Sequence, residues 1–97
     1  MDIRHEAAGN GGRFLTGTGA AEAELSYASG TTPGTVVFNH TFVPPALRGQ
    51  GVAEKLLEAA VAHARDHGWK IYPTCSYVQV QFARHPEKYA NIATAAA

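Results

Sequence analysis

The stretch TVVFNHTFVPPALRGQGVAEKLLEAAVAHARDHGWKIYPT, residues 35–74, changes its apolar period twice, and those changes decide the fold. Along residues 35–43, Val36, Phe38, His40 and Phe42 occupy one phase of an extended chain and Val37, Asn39, Thr41 and Val43 the other. Apolar groups on both phases predict a central strand covered on both sides. Pro44-Pro45 end it, because proline has no N–H to give the ladder. From Gly51 the spacing becomes helical: Val52, Ala53, Leu56, Leu57, Ala60 and Ala64 form one stripe, with the charged residues elsewhere. Gly68 offers a left-handed stop. Residues 69–74 are extended again, with Trp69, Ile71 and Tyr72 as sheet core and edge. A strand, a helix and a second strand make a crossover, so this last strand should run parallel to the one before the helix.

Upstream, turn signals divide the chain into short extended segments. Asn10-Gly11-Gly12 separates residues 3–7 from 13–18, and Gly19 precedes residues 21–28. In that third segment Ala21, Ala23, Leu25 and Tyr27 alternate with Glu22, Glu24 and Ser26, the period of a strand with one wet face. Residues 29–34 (SGTTPG) are the next turn. Four strands in succession predict an antiparallel meander, to which the parallel fifth is added. Residues 77–91 read as one or two short helices broken at His85-Pro86. The expected class is therefore α/β (α+β): a four-stranded antiparallel meander, a parallel fifth strand, one long helix and a short helical C-terminal end. One domain spans residues 1–92, and residues 93–97 are a small-residue tail expected to fray.

The chain has 97 residues, 45% hydrophobic and 16% charged, which excludes a disordered or coiled-coil class and fits one core. Eight basic residues balance eight acidic ones, so no global field points to nucleic acid or an acidic membrane. The single cysteine, Cys75, excludes an internal disulfide and a thiolate zinc cage. With an N-terminal segment that lacks an apolar run, it points to the cytoplasm.

The strand-to-helix turn Arg48-Gly49-Gln50-Gly51-Val52-Ala53 is the first candidate for chemistry. Glycines let backbone approach a ligand, the first helical N–H groups have no partner, and the helix dipole favours an anion there. Arg48 adds a bidentate donor. A Walker loop is excluded by Val52-Ala53 after Gly51, and a dinucleotide fingerprint by Glu54 where a third glycine is required.

Arg48, Gly51 and Ala53 match Arg/Gln-x-x-Gly-x-Gly/Ala, and in this the chain resembles the GCN5-related N-acetyltransferases. The run from His40 to Gly51, followed by Pro73-Thr74-Cys75-Ser76-Tyr77-Val78, is similar to a branch of minimal single-domain members bearing Cys-Ser-Tyr. The resemblance implies acetyl-coenzyme A as co-substrate and a sheet opened beside its fourth strand. It implies pantetheine bonded near Phe42 and Val43, pyrophosphate on Arg48, Gly49, Gln50, Gly51, Val52 and Ala53, and an amine acceptor. No metal, nucleic acid or membrane is expected as a partner.

Cys75 ends the fifth strand, where ligands of parallel sheets gather, and is the expected acyl-accepting nucleophile. His40 is the expected base toward Cys75 or the amine. Tyr77 is a weaker candidate for protonating the leaving thiolate, and Ser76 an expected helix N-cap. His63 and His67, four residues apart on a helix, lack a third ligand and read as a solvated face. The sequence thus predicts an N-acetyltransferase acting on a small amine or a protein lysine, with an acyl-Cys75 intermediate as one route. The alternative is a non-catalytic coenzyme A or acyl-CoA-binding module.

Overall fold

A computed structural model describes residues 2–97. Five strands, β1 (Arg4–Ala8), β2 (Gly11–Thr16), β3 (Ala23–Ser29), β4 (Thr35–Phe42) and β5 (Lys70–Pro73), lie side by side in chain order. The first four are antiparallel to their neighbours and β5 is parallel to β4. Helix α1 (Val52–Asp66) makes the crossover, and α2 (Ser76–Arg84) and α3 (Pro86–Tyr89) follow β5 with the break at His85-Pro86. The predicted architecture is the one observed.

One face of the sheet meets α1. Phe14, Ala23, Leu25, Tyr27, Val36, Phe38 and Ile71 pack there against Val52, Leu56, Leu57, Ala60, Val61 and Ala64, with Val78, Tyr89 and Ile92 joining the same cluster. The opposite face carries the charged network of Arg13 with Glu6, Glu22 and Glu24, and of Arg4 with Glu22. On that face Asn39, His40 and Phe42 of β4 are exposed, so the expected two-sided cover of β4 is not what forms.

Only one face of the sheet carries packed helices, and a β-bulge decides which residues of β4 are left on the other. Tyr27 pairs with Phe38, but Ser26 pairs with His40, which leaves Asn39 as an extra residue whose Oδ1 accepts from the Ser26 hydroxyl at 2.8 Å. An extra residue inverts the alternation beyond it. Val36 and Phe38 face the core, and then Thr41, opposite buried Leu25, takes the inward phase while His40 and Phe42 turn outward. The expectation that Val36, Phe38, His40 and Phe42 share one face therefore fails after Phe38.

A second correction concerns Gly11 and Gly12, which open β2 instead of forming a turn; the turn is Gly9-Asn10. A Cβ on Gly11 would lie 2.2 Å from the Tyr27 carbonyl oxygen, so this glycine permits close strand approach. The terminal residues are also tied down. The Ile71 N–H donates to the Ile92 carbonyl at 2.8 Å, the Thr94 N–H to the Ile71 carbonyl at 2.9 Å, and the Thr32 N–H to the Ala97 carbonyl at 2.7 Å.

His63 does not belong to a solvated face. Its ring lies 4.5 Å from His5, 4.2 Å from His67 and 5.3 Å from Trp69, and His5 Nε2 shares a 2.7 Å hydrogen bond with the Tyr27 hydroxyl. Burial, then the neighbouring His5 and His67, push the His63 pKa below its ordinary value near 6.5, while Asp66 pulls weakly the other way. A base that protonates less readily folded than unfolded withdraws stability as pH falls. The melting temperature should accordingly drop between about pH 7.5 and pH 5. His63→Leu should flatten that drop in thermal unfolding scans; an equally steep fall in the variant would show that the imidazole array is not its source.

Candidate active site

The ladder between β4 and β5 ends early. Its last pair is Phe38 with Pro73, and the Phe38 carbonyl then accepts from the N–H groups of both Thr74 (3.0 Å) and Cys75 (3.1 Å). Beyond that point residues 40–42 pair with β3 alone and have no ladder partner on the β5 side. The chain after β5 enters α2 with Cys75, not Ser76, at the N-cap position.

Cys75 is half-buried, and its thiol donates to Thr41 Oγ1 at 3.4 Å. Burial raises the thiol pKa, but the Thr41 hydroxyl and the amides of Val78, Tyr77 and Thr41 lower it further, and the net position is below the ordinary thiol value. Nearby Tyr77 moves the other way: burial raises it, and the charges of Glu54, Tyr89, Cys75 and Glu58 raise it more. A phenol held protonated beside a thiol held toward thiolate is a donor next to a nucleophile.

A concavity of about 260 Å³ is lined by Val43, Leu47, Arg48, Gly49, Gly51, Val52, Ala53, Glu54 and Tyr77. Gly51 is the N-cap of α1 with φ +71°, and no side chain caps this end. The first helical hydrogen bond runs from the Lys55 N–H to the Gly51 carbonyl, so the amides of Val52, Ala53 and Glu54 have no acceptor within the helix. A Cβ at Gly51 would meet nothing within 4 Å. Glycine adopts the left-handed conformation there without strain, and the space above it is open. Glu54, in the first turn, is a favourable partner of the helix dipole and a competitor for any incoming anion.

The expected cofactor residues divide. Val43, Arg48, Gly49, Gly51, Val52 and Ala53 line the concavity together. Gln50 turns back to the Ala46 carbonyl (3.3 Å), and Phe42 stands on the outward face, 45% exposed. Arg48 Nε donates to the Val43 carbonyl at 2.9 Å, which ties the end of β4 to the turn and leaves the outer guanidinium nitrogens for a ligand. Of the two expected catalytic residues, Cys75 lies at the N-cap of α2, against Thr41. His40 is exposed on the outward face of β4, beyond the bulge. Thr41, the residue that touches Cys75, has no motif to announce it. Among the described residues no cluster of three His, Cys, Asp or Glu side chains could hold a metal, and no helix is long and apolar enough to cross a membrane.

A split mixed sheet with a bare helix end at its mouth is an arrangement shared with known proteins. Over 94% of the chain it superposes on a GCN5-like protein from Staphylococcus aureus solved by NMR, with a TM-score of 0.72, 29% identity and 87% of that chain covered. Residues 13–92 match the family described as GCN5-related N-acetyl-transferase, and the chain belongs to that family. Among curated relatives, Protein NATD1 of Xenopus tropicalis is 38% identical over 52 residues, 54% of this chain. That match spans about half of the relative's length (48%).

Proposed function

We propose that this chain is an acetyl-coenzyme A-dependent N-acetyltransferase that passes the acetyl group to an amine, a small one or a protein lysine, through an acyl-Cys75 intermediate. What supports the reading is an uncapped, glycine-lined helix end in a concavity that Tyr77 also lines, with the hydrogen-bonded thiol of Cys75 two residues before Tyr77 at the start of α2. In this reading the amides of residues 51–54 and the outer nitrogens of Arg48 hold the pyrophosphate. Gly49 and Gln50 shape the turn, and backbone at Phe42 and Val43 receives the pantetheine amides. The Cys75 thiolate attacks the thioester carbonyl, the bond from that carbon to the coenzyme sulfur breaks, and Tyr77 gives the departing thiolate a proton. The amine then attacks the Cys75 thioester, gives up its proton to solvent, and the cysteine leaves as thiolate; His40, on the outward face of β4, is not placed to take that proton.

Intact-protein mass spectrometry after mixing with acetyl-coenzyme A, without acceptor, should show one acetyl adduct, mapped to Cys75. Cys75→Ala should lose the adduct and slow turnover of an amine panel by roughly 100-fold or more, the scale of a removed nucleophile. Unchanged turnover in Cys75→Ala would end the covalent route in favour of direct attack by the amine. Stabilisation by coenzyme A with neither adduct nor turnover would leave the binding-module reading instead.

A further inference from the structure

The bulge at Asn39 decides which side chain of β4 meets the reactive sulfur. In a regular ladder Ser26 would oppose Asn39 and Leu25 would oppose His40, placing the imidazole inward and Thr41 outward. The extra residue puts Thr41 opposite Leu25 instead, on the inward side, and the Thr41 hydroxyl oxygen lies 3.4 Å from Cys75 Sγ. Cys75 is fixed to the same strand by its own N–H, which donates to the Phe38 carbonyl immediately before the bulge. Sulfur and hydroxyl are thus held by one strand on either side of one extra residue.

We propose that Thr41 is the positioning residue of the acyl-accepting sulfur: its hydroxyl accepts the thiol proton at rest and, by rotating, donates its own hydrogen to the sulfur anion. The proposal rests on the acyl-Cys75 reading, since it is the sulfur of that step that Thr41 holds. No lysine, arginine or histidine contributes to lowering the Cys75 thiol among the described residues. The titratable group beside it is Tyr77 of α2, itself influenced by Glu54 and Glu58 of α1 and by Tyr89 of α3, while His40 of β4 faces outward. The threonine hydroxyl and the amides of Tyr77, Val78 and Thr41 are what the anion has. A hydroxyl is suited to this place because one oxygen can serve as acceptor and donor in turn.

The test is the pH profile of iodoacetamide alkylation of the protein without ligand, read by intact mass, with Cys75→Ala as the blank. Alkylation consumes the thiolate, which forms a carbon–sulfur bond as iodide leaves, so its midpoint reports the thiol directly. Thr41→Val keeps the shape and removes the hydroxyl; its midpoint should rise by about one pH unit, a roughly tenfold slower reaction at neutral pH. Thr41→Ser should return the midpoint to the wild-type position, and circular dichroism checks that each variant is folded. If the valine variant does not fold, Thr41→Ala serves in its place. A midpoint unmoved without the hydroxyl, or equally raised in Thr41→Ser, overturns the proposal. Acetylation by acetyl-coenzyme A is measured in parallel. A wild-type chain that shows the alkylation shift but forms no acetyl adduct refutes the covalent route. A chain that forms the adduct at the same rate with valine at this position refutes the role of Thr41.

Discussion

Gly51→Asp should remove coenzyme A binding while leaving the fold in place. Aspartate is among the side chains that best tolerate the left-handed conformation observed at this residue, so the strain it adds is small enough for α1 to keep its first turn. Its Cβ enters open space. Its carboxylate, however, sets a negative charge and added bulk at the helix end where a diphosphate would sit. A loss of affinity of about 100-fold is expected. With ligand at 100 times the wild-type dissociation constant, stabilisation should fall from about 2.7 kcal/mol to about 0.4 kcal/mol. In a domain of this size that removes roughly 10–20 °C of thermal shift, which differential scanning fluorimetry resolves. A ligand-induced shift that persists in Gly51→Asp would place the pyrophosphate elsewhere.

The largest effect on stability is expected at Leu56. Its side chain is fully buried in the centre of the α1 stripe, within the cluster that includes Leu25, Phe38 and Ile71. Leu56→Ala should cost about 3–4 kcal/mol, the sum of lost transfer energy and an unfilled cavity. Against a total of about 5–15 kcal/mol for a small domain, this leaves the chain close to its unfolding threshold at physiological temperature. Urea titration should show a lower midpoint with an unchanged slope. Val80→Ala, on the exposed side of α2, should stay within about 0.5 kcal/mol of wild type. A comparable loss at both positions would mean that the stripe is not where the stability resides.

The crossover was legible because three kinds of punctuation agree: Pro44-Pro45 closes a strand, Gly51 and Gly68 bracket a helical period, and residues 70–73 resume extended structure. The uncapped start of α1 was legible for the same reason, since its glycines lie where the period changes. The bulge was not. Residues 35–43 carry apolar groups on both phases, so inserting one residue at Asn39 leaves the pattern looking much the same while exchanging the faces of His40 and Thr41. A strand with polar residues on only one phase would have betrayed the shift. Gly11 and Gly12 misled in the opposite sense, because glycine signals a turn and a close strand contact with the same letter. The helical spacing of His63 and His67 showed that they are neighbours, but not that β1 would bring His5 against them from nearly sixty residues away. Thr41 lacked any signal, since its meaning comes from a cysteine more than thirty positions later.

The hold of residues 92–94 on Ile71 bears on how copies of this chain meet one another. A four-residue parallel strand at a sheet margin would ordinarily offer its amides and carbonyls as a template for recruitment. Here Ile92 and Thr94 have already spent the Ile71 N–H and carbonyl on the chain itself. The far margin, β1, is five residues long and carries Arg4 and Glu6. One border is sealed by the molecule's own backbone and the other guarded by charge, so strand-by-strand accretion into fibrils finds no invitation at either.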